Sequence, residues 1–194
     1  MNLARLVILS CVLVMAGCAS PVALEKLKYA SPASVKSNKT VLITVESGQI
    51  GGEGGSSLVP VGGVPISMRY KAVPELWFKE ADQTACVQAL RQELVRIGVV
   101  GLATENKAVN ADLRVNLNFV KTLHNLERQS YALDVDMGIN GGGKTISKLF
   151  KVTSEDKRST WNFDMSTAYE NKAKACSYLI EKLVPEIETF IAKY

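Results

Sequence analysis

Three runs of alternating polarity, two of them joined through consecutive glycines, restrict this chain to a small set of folds. Over Ser130–Ile139, Tyr131, Leu133, Val135 and Met137 share one face, and Asp134 and Asp136 share the other. Asn140-Gly141-Gly142-Gly143 follows, the residue types that accept the positive φ of a tight hairpin turn. Lys144–Ser154 is the return strand, with Ile146, Phe150 and Val152 pointing one way. Upstream, Asp112–Thr122 sets Leu113, Val115, Leu117 and Phe119 against Arg114, Asn116 and Asn118. Three such strands make an antiparallel sheet with one apolar face, and that face has to be covered.

Helices on either side in sequence provide the cover. In Lys79–Ile97, Cys86, Leu90, Leu94 and Ile97 recur at helical spacing, and Gly98 is a C-terminal stop after Arg96. In Ala168–Ala192 the apolar stripe is Ala173, Cys176, Ile180, Leu183, Ile187 and Ile191. Thr167-x-x-Glu170 reads as its capping box, and Pro185 predicts a kink or split near Leu183. Before the first helix, Lys39–Ser47 holds the β-branched run Thr40–Val45, apolar on both faces as a central strand is. Short extra strands are expected at Val99-Val100 and around Thr160–Phe163. The order is strand, helix, three or four strands, helix. That predicts an α+β two-layer sandwich with a mostly antiparallel sheet and two helices on one face. The opposite face, with Arg114, Asn116, Asp134 and Asp136, is expected to be wet.

Gly48–Gly63 crowds Gly51, Gly52, Gly54 and Gly55 around Glu53. It lacks Gly-Lys-Ser/Thr and the Gly-x-Gly-x-x-Gly spacing, and no helix starts there, so it is not a phosphate cradle. It reads as a mobile loop. Long loops inside compact domains carry function or are disordered. Leu58–Phe78, with Met68, Tyr70, Trp77 and Phe78, is therefore the candidate partner-facing surface. The competing reading is that these side chains cap the core.

Catalytic chemistry is missing from the pattern. The single histidine, His124, falls between predicted strands among polar residues and reads as an exposed loop residue. No Gly-x-Ser-x-Gly elbow accompanies it. Zinc would need several His or Cys ligands, and a calcium loop needs acids spaced around a turn glycine. Asp134 and Asp136 read as a solvated strand face. The expectation is a non-enzymatic protein without metal or cofactor. The net charge of +4 is spread among alternating lysines and acids, which excludes the concentrated basic face of a nucleic-acid binder.

The first residues give the chain an address. Arg5, the apolar run Leu6–Met15 and the small residues Ala16-Gly17 have the layout of a secretory signal. The run falls short of the roughly 20 apolar residues of a permanent membrane span. Leu13-Val14-Met15-Ala16-Gly17-Cys18 resembles the lipobox of bacterial lipoproteins. The resemblance implies cleavage before Cys18 and diacylglyceryl and acyl chains on it, which together hold a protein at a membrane. Ala19 rather than Asp after the cysteine implies outer-membrane sorting. The expected organisation is a signal over 1–17, a lipidated Cys18 and flexible tether over 18–38, and one periplasmic domain over 39–194.

Cys11 leaves with the signal and Cys18 carries lipid, so Cys86 and Cys176 remain in an oxidising compartment. Each sits in a predicted helix, and side-by-side packing would allow a disulfide between them. Two buried free thiols are the alternative.

Lipobox, Ala/Ser/Pro tether, strand, helix, Ala111-Asp112-led strand, glycine-turn hairpin and C-terminal helix together resemble YajG-like lipoproteins and the auxiliary lipoproteins of ABC-type lipid transport systems. The glycine-rich Gly48–Gly63 departs from both. The resemblance implies an outer-membrane-anchored accessory that binds a protein partner in envelope transport or assembly. A small-ligand or lipid carrier, with a cavity between sheet and helices, is the other expectation.

Overall fold

The computed structural model describes residues 35–61, 64–126, 128–154 and 165–194. Signal, Cys18 and most of the tether lie outside these residues, as does the strand expected around Thr160–Phe163. Within the described residues seven strands and two long helices follow in order: β1 (Thr40–Glu53), β2 (Gly55–Val61), β3 (Val64–Tyr70), α1 (Glu80–Arg96), β4 (Leu102–Thr104), β5 (Leu113–Asn125), β6 (Ser130–Gly141), β7 (Lys144–Ser154) and α2 (Met165–Lys193). A 3-10 turn, Pro74–Leu76, precedes α1.

Five strands form the main sheet in the order β4-β1-β5-β6-β7, and β2 pairs only with β3 in a separate two-stranded sheet. The fold is α+β, as the patterning predicts. The β5–β6 and β6–β7 pairs are antiparallel. β1 runs parallel to both β4 and β5, because α1 carries the chain back before the next strand starts in the same direction. The sheet is therefore mixed. α1 lies against β1 and β4, α2 against β6 and β7.

Between the layers, side chains stack in rows across the strands. One row is Ile43, Val115, Ile139 and Ile146, and another is Phe119, Val135 and Phe150. Phe78, Leu90, Leu94, Leu179, Leu183, Val184 and Ile187 close over them in a single buried cluster. The other sheet face is polar, with Arg114 and Asn116 exposed, Asp134 and Asp136 half-exposed, and a hydrogen bond from Ser147 Oγ to Asp136 at 2.9 Å.

Local signals hold at several termini. Gly142 and Gly143 form the β6–β7 turn with φ of 57° and 73°, as a type I′ turn requires. α1 ends on Gly98 at φ 83°. Gly98 N–H donates to the Val95 carbonyl and Val99 N–H to the Leu94 carbonyl, the pair of bonds of a Schellman motif. At the other end Lys79 N–H donates to Asp82 Oδ2 at 2.9 Å.

Four expectations change. The expected mobile loop is built of strands: β1 continues to Glu53 alongside β5, and β2–β3 is a hairpin in which Val61 pairs with Val64. Val99 and Val100 bury themselves in the core, and the short strand forms just after them. α2 begins at Met165, which puts Thr167 inside the helix and buried, not at its cap. α2 also runs unbroken through Pro185. The proline faces solvent while Leu183, Val184 and Ile187 stay buried on the core side, and that packing carries the helix past the missing N–H.

Candidate functional site

The polar centre of the molecule is at the end of the sheet where β1 and β5 are longest. Strand β5 gains one residue against β6 between Phe119 and Lys121. Val120 is the extra residue of this bulge, and it reverses which side chains face the helices. Before it Leu113, Val115, Leu117 and Phe119 point inward; after it Thr122 and His124 do. Strand β1 keeps step because Gly48 stands beside Val120. A Cβ at Gly48 would lie 2.5 Å from the Phe119 carbonyl oxygen and 2.7 Å from that of Val120.

The last inward-facing row of the sheet is therefore Gly52, His124, Tyr131 and Ser154, paired in turn across four strands. His124 is fully buried, its ring centroid 4.7 Å from that of Tyr131. This overturns the exposed-loop reading. Neither ring nitrogen has a hydrogen-bond partner among the described residues. Burial, and secondarily the nearby Lys172 charge, lower its pKa from 6.5 to about 4, so the imidazole is neutral at pH 7.

Leu76-Trp77-Phe78 crosses over this row as a strap between β3 and α1. Its three successive carbonyl oxygens each accept a bond from a different element. Tyr131 Oη on β6 donates to Leu76 at 2.7 Å. Lys172 Nζ on α2 donates to Trp77 at 2.8 Å, and Thr122 Oγ1 on β5 donates to Phe78 at 3.1 Å. Lys172 also meets Asp82 Oδ2 at 2.8 Å and sits 5.9 Å from the Tyr131 ring centroid. Burial, and then the Asp82 and Tyr169 charges, push the Tyr131 hydroxyl well above the usual tyrosine range. Beside it, Asn171 Nδ2 donates to the Gln129 carbonyl at 2.7 Å. The donors here are turned onto main-chain oxygens, which makes the cluster a clamp on the strap.

Of the residues singled out from sequence, Phe78 is fully buried in the core. Trp77 is half-buried, with its indole over Gly52: a Cβ there would lie 2.8 Å from Trp77 Cδ1. Met68 and Tyr70 belong to β3, and their side chains lie outside the description, as does Cys18. Cys86 and Cys176 face each other at disulfide distance between α1 and α2, Cα atoms 5.6 Å apart. The sequence reading missed Lys172 and Thr122. Lys172 was findable, since it sits one turn before Cys176 on the apolar stripe of α2. Thr122 and His124 required knowledge of the bulge.

Among the described residues no group of three or more His, Cys, Asp or Glu side chains is placed to hold a metal ion. No helix among them is long and apolar enough to cross a membrane.

No family model matches the chain, and no curated protein matches it by sequence. By structure it is similar to a crystal structure of a Xanthomonas campestris protein of family DUF330. That likeness has a TM-score of 0.50 and 9% identity and covers 81% of this chain and 86% of the other. A second crystal structure, of an uncharacterized protein, aligns with a TM-score of 0.48 and 10% identity over 81% of this chain and 96% of that one. At these identities the likeness to the Xanthomonas protein is one of fold.

Proposed function

We propose that this chain is a lipoprotein, anchored to the outer membrane through Cys18, whose α+β domain works in the periplasm as a non-enzymatic, protein-binding accessory in envelope transport or assembly. The observation that carries the reading is Leu13–Cys18, a lipobox at the end of a short apolar run and followed by an Ala/Ser/Pro tether. Several acyl chains on one cysteine suffice for stable anchoring. The domain supports the second half of the reading. Thr122, Tyr131, Asn171 and Lys172 are buried at the strap and donate to main-chain oxygens, whereas the sheet presents a broad polar face outward.

The test has two parts. Labelled palmitate should enter the wild-type chain and not Cys18→Ala, and the wild type should fractionate with outer membranes. Crosslinking in intact envelopes should recover one reproducible protein partner. Palmitate incorporation that survives Cys18→Ala, or crosslinking that recovers no reproducible partner, would overturn the reading.

A further inference from the structure

Strand β1 is fourteen residues long, yet on its outer side β4 pairs only with Thr40, Val41 and Leu42. The next carbonyl, that of Ile43, is taken by Arg91 Nη2 from α1 at 2.9 Å. Beyond it, from Thr44 to Glu53, no strand among the described residues pairs with β1 on that side. Glu46, Ser47, Gly48 and Gln49, in the middle of this stretch, are exposed. An unpaired strand edge is a row of donors and acceptors ready for another strand, and proteins normally blunt such edges with lysine, proline or an overlying element. Over Thr44–Glu53 this edge has no lysine and no proline, and α1 reaches the stretch at Ser47, whose Oγ donates to Gln83 Oε1 at 2.5 Å.

The charge along the edge selects what fits it. Both ionisable residues of β1 are acids, Glu46 and Glu53, and both are exposed. Their hydrogen bonds come from asparagine amides: Asn116 Nδ2 to Glu46 at 3.4 Å and Asn125 Nδ2 to Glu53 at 3.1 Å. Amides orient a carboxylate without neutralising it. A third acid nearby, Glu105 just after β4, is already paired with Arg91 at 2.6 Å, so Glu46 and Glu53 carry the charge of the edge.

We infer that the free edge of β1, Thr44–Glu53, is a strand-addition site for an extended, basic segment of a protein partner, which would continue the line of β4 along β1. Backbone ladder bonds supply the affinity in this mode, and alternate side chains supply the specificity. Lys or Arg side chains of the incoming strand would meet Glu46 and Glu53. The inference rests on the protein-binding reading above and names the surface for it.

The experiment is photocrosslinking in envelopes with the full lipidated chain, using a photoreactive amino acid in place of Gln49 on the edge or of Tyr178 on α2. The expected result is an adduct from Gln49 and none from Tyr178, mapped by mass spectrometry to a Lys/Arg-rich stretch of another protein. Glu46→Lys with Glu53→Lys should cut its yield roughly tenfold while leaving the melting temperature in place. If these two changes unfold the domain, Glu46→Gln with Glu53→Gln takes their place, with a smaller loss expected. An adduct from Tyr178 alone, from Gln49 to a second copy of this chain, or from Gln49 to an acidic segment overturns the edge assignment and leaves the protein-binding reading standing. No reproducible adduct from any exposed position overturns both.

Discussion

The indole of Trp77 fills the space in front of Gly52 that a side chain at that position would occupy. Gly52 thus has a packing role: it lets the strap lie close against the end of the sheet. Gly52→Ala should destabilise the domain by about 1–3 kcal/mol, the usual cost of overfilling a packed site. In a Trp77→Ala background the same change should cost little or nothing. Urea unfolding of the four proteins of this cycle measures the coupling, and equal costs in both backgrounds would refute the contact.

Lys172 is 3% exposed and joins Asp82 to the strap. Removing one partner of a buried pair leaves the other charge uncompensated, which costs about 3–5 kcal/mol. Lys172→Met should approach that loss, and adding Asp82→Asn should restore part of it. Thermal melts of the single and double variants decide the matter.

His124 sets a pH dependence with a definite sign. Its folded pKa, about 4, lies below its ordinary 6.5, so between these values the unfolded chain binds more protons and stability rises with pH. Its contribution is therefore complete above pH 6.5, fades as pH falls, and reaches its floor near pH 4. Replacing His124 with Phe should flatten the stability profile in that window alone. An unchanged slope would show that other groups govern it.

A disulfide between Cys86 and Cys176, whose Cα atoms are 5.6 Å apart, would close a loop of 90 residues. In the chain-entropy model a loop of that length is worth about 4–5 kcal/mol. Reduction, or replacing both cysteines with Ala, should lower the urea midpoint accordingly. Oxidised and unfolded protein should resist alkylation at both positions; labelling without prior reduction would mean free thiols.

Much of this architecture is legible in the sequence because local physics determines it. The alternation in β6 and β7, the paired glycines at 142 and 143, and Gly98 after Arg96 each report a backbone conformation that neighbouring residues enforce. Elements decided by distant partners are not legible. Nothing near Val120 marks a bulge, since a bulge is a relation between β5 and β6. Reading β5 at strict period two therefore leaves His124 without a place in the core. The glycines of β1 look like loop residues until Trp77, some twenty-five positions later, explains one of them. For the candidate site, Trp77 and Phe78 could be chosen for their size alone. That both belong to a strap over the sheet's end depends on Tyr131, Thr122 and Lys172, each from a different element.

The strap's three consecutive carbonyls have an effect on how the domain comes apart. Opening it from any one side strands a buried oxygen that β5, β6 or α2 had been serving, so partial fraying gains solvent contact for one group and loses it for others. That end of the molecule should open in a single step, with slow amide exchange extending from Tyr131 across to the first turns of α1 and α2. The β2–β3 hairpin is thereby tied to this end at both feet, through Gly54 to β1 and through Lys71–Val73 to the strap.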